Sequence, residues 1–406
     1  DQNAVGSGDD GSSWADAYLN LQNALDDADA ATRQIWVADG TYEPSVRHPT
    51  DQTDDSYKTF LLEEGRHIVG GFTGYGEGEE LSVEDRVFEE DSYPGFPIPA
   101  HRTVLSGDIG STPGDFDDGD VYSVVTAEGD AYIDGFEITG GYSSGGSADY
   151  WERESCGGAL FAYGHSVCIS NCLFSRNVAY YGGAVMCNGS NDFPAGFNDC
   201  VFNSPQLSEH SECAVLNVEG RIMVQSCLFD GEGQQLNIAP HDAEVLDCVF
   251  KNNLSRPALS ISMQPGLGLR VLRCVFLDNG SAISNPASNL DVVSCTFIRN
   301  EPDGAIHNDG LAVGDLLEDV SIDNCVFADN VATGGIRGRP PSGGAIANEL
   351  AKASVTNCTF HNNTAGHGRG GAVWSYFTEG ALEPGETGLT VRNCLLWENT
   401  ASMDQS

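Results

Sequence analysis

The sequence predicts an all-β chain wound into a right-handed parallel β-helix, and three observations carry that expectation. The first is a cysteine frame: Asn171-Cys172-Leu-Phe174, Asp199-Cys200-Val-Phe202, Ser226-Cys227-Leu-Phe229, then the same pattern at Cys248, Cys274, Cys295, Cys325 and Cys358, and at Cys394 with Leu396 replacing Phe. Successive members lie 21 to 36 residues apart, a period that belongs to stacked supersecondary units. The second is a pair of signals downstream of the cysteines. An Asn recurs three residues after the aromatic position, at Asn177, Asn253, Asn279, Asn300, Asn330, Asn363 and Asn399. A small-Ala-apolar group comes next, as in Gly182-Gly-Ala184-Val185 and Gly370-Gly-Ala372-Val373. The third is composition: 49 glycines among 406 residues, with 9% aromatics, suit a turn-rich β chain better than a helical one.

Within one repeat, period-two alternation turns Cys358 and Phe360 inward and Thr359 outward. Val355 lies at an odd offset from Cys358, so a bend falls at Asn357, a residue type that tolerates left-handed backbone. Each coil is thus three short strands joined by corners and stacked at about 4.8 Å per coil. Like residues then stack into inward ladders of Cys and Phe and broken ladders of Asn. The right hand is the usual one for parallel crossovers.

Residues 1–34 form an N-terminal cap. Ser13-Trp14-Ala-Asp16 has the capping-box pattern, and Trp14, Tyr18, Leu21, Leu25 and Ala28 share one face of a helix that covers the first coil. Residues 35–155 are irregular, acidic first coils with long loops: together with the cap, residues 1–155 hold 34 Asp plus Glu against 7 Lys plus Arg. Regular coils occupy 156–406, and their C-terminal end, at Leu395-Leu-Trp397, has no cap in its pattern. Such an end is expected either to continue into a further segment or to be covered, self-assembly included.

Charge narrows the function. Sixty acidic residues against 19 basic ones give a net charge of -41, which repels phosphate and excludes nucleic acid as a partner. No apolar run is long enough to span a membrane as a helix.

The Gly-Gly-Ala-apolar and Phe-x-x-Asn pieces resemble the repeats of chlamydial polymorphic outer-membrane proteins. Asp10-Gly-Ser-Ser-Trp14-Ala-Asp-Ala-Tyr18, Ile35-Trp-Val-Ala-Asp-Gly-Thr-Tyr42, Leu105-Ser-Gly-Asp-Ile109 and Ile133-Asp-Gly-Phe-Glu-Ile-Thr-Gly-Gly141 are similar to secreted right-handed β-helix proteins of planctomycete type. The resemblance implies a secreted or bacterial cell-surface solenoid, with adhesion as one role. The fold also hosts pectate lyases, alginate lyases and polygalacturonases, so it does not fix an activity.

A catalytic site on such a solenoid needs carboxylates, or Lys and Arg with calcium, on one outward face. The outward row two places after the repeat Ala reads Phe161, Met186, Leu216, Asn237, Ser260, Ser284, His307, Ala347 and Trp374, without a carboxylate, Lys or Arg. Glycoside hydrolysis asks for two carboxylates about 5 to 9.5 Å apart, and this row supplies none. Gly366-His367-Gly368 reads as a flexible corner, and Lys251, Arg270 and Arg273 as paired or solvated cations, rather than as catalytic groups. Asp115, Asp117, Asp118 and Asp120, around Gly119, offer hard oxygen ligands suited to calcium, and equally fit a solvated acidic loop. The framed cysteines are expected to be a buried thiol stack. Cys156, Cys168, Cys187 and Cys213 fall outside the frame, and Cys168 is placed for a bridge to a neighbouring coil. Phe161, Met186 and Leu216 form an outward apolar run, expected to be covered by a loop (142–155 or 188–198) or used, with Trp374, for surface contact. The reading is a secreted or cell-surface β-solenoid with a structural, adhesive or carbohydrate-contacting role, its partners polysaccharide or other cell-surface components. The alternative is a polysaccharide lyase or glycoside hydrolase with its site in the N-terminal loops.

Overall fold

The structure is a computed structural model. It describes all residues except 7, 30, 31, 33, 51–53, 77, 79, 91, 111–118, 144–151, 190–192, 204–213, 234, 239–241, 262–267, 287, 288, 311–316, 335–342, 367, 378–381, 383–386 and 403–406, and the side chains of 317–319. Two compact units, residues 1–218 and 219–406, are each built from coils of a right-handed parallel β-helix. Every regular coil contributes its strands in chain order to a first, a second and a third parallel sheet.

In the second unit the coils are nearly identical. The first sheet takes Ile222–Gln225, Ala243–Leu246, Gly268–Leu272, Asn289–Val293, Leu317–Asp323, Ala351–Thr356 and Leu389–Arg392. The second takes three-residue strands such as Val275–Leu277 and Thr359–His361, and the third takes strands such as Ser281–Asn285 and Ile346–Glu349. From the coil of Cys248 onward, each coil is closed by a pair of non-glycine left-handed corners, whereas the coil of Cys227 pairs Ser226 with Gly231. Asn357 (φ 56°) precedes the cysteine, where the bend was expected, and Asn362 (φ 52°) precedes the ladder Asn. A left-handed corner turns the next N–H away from its strand partner, and the following side chain solves that problem. After the first corner, the Cys325 N–H donates to Cys358 Sγ at 3.4 Å, while the Cys358 thiol donates to the Thr356 carbonyl at 3.1 Å. After the second, the Asn330 N–H and Nδ2 both donate to Asn363 Oδ1 (3.1 and 2.9 Å), and Nδ2 also donates to the Phe297 carbonyl at 3.0 Å. The chain of amides runs Asn279, Asn300, Asn330, Asn363, Asn399. A second amide ladder, Asn285, Asn308 and Asn348, lies in the third sheet. Between the corners, Phe250, Phe276, Phe297, Phe327 and Phe360 stack at 4.7 to 5.0 Å with planes within 4°. Each buried Phe contributes roughly 1.5–3 kcal/mol.

The first unit starts with a single helix, α1 (Leu21–Asp27), which packs on Ile35–Ala38 and Phe60–Leu62 through the buried Leu21 and Leu25. The helix begins later than the capping-box pattern indicated. Ser13 and Asp16 do exchange hydrogen bonds (3.2 and 3.3 Å), but the Asp16 carbonyl accepts from Asp10 and Gly11 N–H groups, which closes a loop instead of a helical turn. Asn20 is the N-cap, its side chain accepting from Gln22 N–H at 2.7 Å. Trp14 packs against Trp36 and Phe72 beside the helix. Gly135 (φ 81°) and Gly140 (φ 77°) make the corners around Phe136–Thr139, where later coils use Asn171 and Arg176. Long insertions leave the coils here. In one of them Val46–His48 run antiparallel to Tyr57–Thr59, with His48 N–H donating to the Tyr57 carbonyl.

Candidate functional site

In the second unit the outward face of the first sheet carries a groove of about 640 Å³. Alternation sets its floor. Leu269, Leu290 and Val320 turn inward and are buried, so the intervening residues Glu244, Arg270, Asp291, Ser321, Ser354 and Thr390 all point out, and strand register aligns them in one row. Arg221, Asp242 and Lys352 line the sides. Three cations and three carboxylates therefore share the groove, so it is locally neutral on a chain whose net charge is -41. The floor carries Glu244, Arg270 and Asp291 in one half and the hydroxyls of Ser321, Ser354 and Thr390 in the other.

The charged half has the form of an ion-pair ladder. Arg270 reaches Glu244 at 3.8 Å and Asp291 at 3.5 Å, with all three side chains solvent-exposed. Glu244 and Asp291 stand two coils apart, about 9.6 Å at the usual strand spacing, at the outer edge of the range for an inverting glycosidase. The guanidinium between them fills the space a glycosidic bond would need. This geometry orders polar groups for contact.

The residues singled out in the sequence are dispersed. Phe161, Met186 and Leu216 are aligned by register as expected, but Met186 is fully buried and Leu216 is 9% exposed, so neither is open to a partner. Cys156 and Tyr181 pack over them, and the Arg153 guanidinium sits 5.6 Å from the Phe161 ring centroid. Arg153 belongs to the 142–155 stretch expected to cover the run, of which 144–151 lie outside the described residues. Trp374 is half-buried and stacked on Tyr376 at 6.0 Å in the second unit. Asp115, Asp117, Asp118, His367 and Cys213 lie outside the described residues. Asp120 is buried and accepts from Gly110 N–H at 3.1 Å. Among the described residues no group of three His, Cys, Asp or Glu side chains is arranged to hold a metal ion. Lys251 pairs with Asp230 and Arg273 with Asp247, on different faces from Arg270. Cys168 faces Tyr132 and Gly196 on the adjoining strands, so neither flanking position offers a cysteine to bridge it, and Cys156, Cys168 and Cys187 are free thiols. Burial pushes the Cys187 thiol up to about 12, which makes it unreactive.

A polar cluster in the first unit went unseen because its members come from three separate insertions and coils. His48 Nδ1 accepts from the Thr50 N–H at 3.3 Å and lies 2.8 Å from its hydroxyl, so Nε2 carries the proton and donates to Glu128 Oε1 at 2.7 Å. Burial, followed by the nearby Arg153, lowers the His48 pKa below its ordinary value and keeps the ring neutral. Tyr57 donates to Glu154, and its ring meets Tyr122 edge-on at 5.0 Å. Burial lowers the Arg153 pKa to about 10, far above neutrality, so the guanidinium stays charged. The only sequence signal was the third-sheet row itself, which continues backwards from Phe161 to Thr126 and so leads to Glu128 two residues later.

Residues 357–376 match the repeat of the Chlamydia polymorphic membrane protein family, a stretch that holds both corners of one coil, Asn357 and Asn362, and the strands Thr359–His361 and Val373–Tyr376. Among solved structures, the catalytic unit of a GH87 alpha-1,3-glucanase from Streptomyces thermodiastaticus is similar with a TM-score of 0.46 and 12% identity, over 95% of this chain and 68% of that one. A family 28 exopolygalacturonase from Yersinia enterocolitica gives a TM-score of 0.33 and 10% identity, over 97% of this chain and 77% of that one. No curated protein matches in sequence. Among the described residues no helix is long and apolar enough to cross a membrane.

Proposed function

We propose that the chain is a secreted or cell-surface β-solenoid that contacts polysaccharide through the groove of its second unit and does not cleave it. The observation that carries this reading is the register-locked outward row from Glu244 to Thr390, a regular array of hydrogen-bonding groups repeating at the coil spacing. A linear polymer with repeated hydroxyls meets such an array at several points at once, and weak contacts add through a shared tether. Local neutrality supports the reading too, since the groove lacks the repulsion that the rest of this acidic surface imposes on anionic polymers. The match to the Chlamydia repeat supports placement at a cell surface. Adhesion by a solenoid of this kind needs no cofactor, and calcium at Asp115, Asp117, Asp118 and Asp120 would act by ordering an acidic loop.

The test is a screen of the purified chain against neutral and acidic polysaccharides, with and without calcium, that records binding and product release together. Binding without release, weakened about tenfold or more by a combined Arg270→Ala and Ser354→Ala change, is the expected result. Cleavage of any polymer, abolished by Asp117→Ala or Asp118→Ala, would replace this reading with a lyase or hydrolase centred in the N-terminal loops.

A further inference from the structure

We infer that the outward corner of the third sheet in the first unit, where Glu128, Arg153 and Tyr163 converge, is a binding site for one neutral sugar residue of a glycan. It is a separate site from the groove and shares only the class of ligand. Three features of the corner point there, and each addresses a different part of such a ligand.

The first is an unmet demand for acceptors. Arg153 Nε and Nη1 are shielded from solvent and have no hydrogen-bond partner. Buried guanidinium donors left unpaired are costly, and native structures fill them with a partner, water or ligand. Glu128 and Glu154 lie close enough to act on Arg153 through their charge, but neither accepts a hydrogen bond from Nε or Nη1. Their oxygens are engaged elsewhere: Glu128 Oε1 by His48 and Glu154 Oε1 by Tyr57.

The second is an available acceptor beside those donors. The Glu128 side chain is 48% exposed although its Oε1 is anchored, which leaves the other oxygen facing outward. A sugar hydroxyl both accepts and donates, so one hydroxyl can accept from Arg153 while it donates to Glu128. A carboxylate ligand would satisfy Arg153 but would face Glu128 and Glu154. With Arg153 at +1, two glutamates and a neutral His48, the corner carries one net negative charge, which disfavours acidic sugars. A metal cation would meet the fixed charge of Arg153.

The third is an apolar platform. Thr126 and Phe161 are paired across adjacent strands, and Glu128 and Tyr163 follow two residues further along each, just past the strand ends. The Tyr163 ring is 43% exposed and lies 6.5 Å from Phe161 with planes 24° apart. Arg153 occupies a face of Phe161, while Tyr163 is open. A pyranose has an apolar C–H face and a hydroxyl edge, and this corner has an aromatic face beside a donor and an acceptor.

Isothermal titration of the whole chain with neutral tetrasaccharides of gluco, manno and galacto configuration, and with a tetragalacturonate, tests the inference. At least one neutral probe is expected to bind, with affinity falling about tenfold in Tyr163→Ala and in Glu128→Gln. Tyr163 is exposed, and Gln at 128 keeps an acceptor for His48, so both variants are expected to fold; Arg153→Lys, which keeps the charge but not the fork, is expected to weaken binding as well. The titrations are repeated in an Arg270→Ala, Ser354→Ala background that weakens the groove, and the binding that remains is expected to keep its dependence on Tyr163 and Glu128. The inference is overturned if no neutral probe binds, if both Tyr163→Ala and Glu128→Gln bind within roughly threefold of the parent, or if the uronate binds more tightly than every neutral probe. Loss of binding in Arg270→Ala but not in Tyr163→Ala would reject this site while sparing the groove, and the reverse would do the opposite.

Discussion

Coils of the second unit turn at polar residues held in the left-handed region, such as Arg299 (φ 52°) and Asp278 (φ 56°), whereas the early coils of the first unit turn at Gly135 and Gly140. The difference shows what each kind of corner is for. A glycine corner is free of Cβ strain, so it suits a coil of irregular length from which long insertions depart. A polar corner costs about 1 kcal/mol in conformation, but its side chain can pair with the same position in the next coil, as Arg299 does with Asp278 at 2.7 and 2.8 Å. The second unit therefore repeats one solution with inner ladders of Phe, Cys and Asn. The first gives up that redundancy and gains loops that bring His48, Glu128 and Arg153 together.

The ladders are where this contrast can be broken with the largest effect. Phe297→Ala removes the ring between Phe276 and Phe327 and is expected to destabilise the second unit by about 3–5 kcal/mol, read by urea unfolding. A loss under about 1 kcal/mol would mean that neighbouring coils collapse into the gap and that the stack is not what holds them. Asn330→Ala comes next. The amide makes hydrogen bonds with Asn300, Phe297 and Asn363, all buried, so about 2–4 kcal/mol is expected. Asn177→Ala in the first unit, where the side chain bonds only Gly141 N–H and the Ile138 carbonyl, should cost less. Equal losses at the two positions would remove the distinction between a ladder and an isolated amide. Gly135→Ala tests the other kind of corner. An added Cβ would lie 2.6 Å from the Gly70 carbonyl and 2.5 Å from Arg86 Nη1, at positive φ. About 2 kcal/mol is expected, with thermal unfolding as the readout.

The repeating core was legible in the sequence because its physics is local and periodic. Cys, a residue, Phe, then Asn three places on is the surface expression of two corners and one three-residue strand, and the bend at Asn357 followed from an odd offset alone. The second corner was also written there, as an unbroken series of polar residues before each ladder Asn, but a polar residue at a surface turn has many explanations. The start of α1 was misjudged because Ser13 and Asp16 form their hydrogen bonds in a closed loop as readily as at a helix start. The groove required knowing which strands align. Arg270 was noticed in the sequence, yet only register sets it between Glu244 and Asp291. The cluster at Glu128 depends on insertions whose return paths carry no period, so sequence spacing says nothing about their meeting.

A smaller effect separates the units by pH. His48 and His67, both in the first unit, have pKa values lowered chiefly by burial. Above the unfolded value, about 6.5, both states are neutral and the full stability is present. As pH falls through that value toward the lower folded one, the unfolded chain takes up protons first, so stability is lost. Carboxylates, with ordinary values about 4, do not titrate in the upper part of this window. His48→Gln keeps a donor for Glu128 and is expected to flatten the fall in melting temperature between about pH 7 and 5.5. An unchanged slope would mean that His48 is as readily protonated in the fold as out of it.

The smallest effect bears most directly on the corners. The Arg299–Asp278 pair is exposed, 54% and 36%, so solvent and salt screen its two parallel hydrogen bonds and they add little stability. Arg299→Ala loses that pair and keeps the left-handed backbone of a residue with a Cβ, whereas Arg299→Gly loses the pair and relieves the strain. Gly also gains entropy in the unfolded chain, about 0.4–1 kcal/mol, which offsets much of the relief. In urea unfolding the Gly variant is therefore expected to match the parent and the Ala variant to lie slightly below both. If Ala proves as stable as the parent, the corner carries no useful pair. The second unit's preference for polar corners would then rest on solubility of the coil edge, and glycine would serve both units equally well.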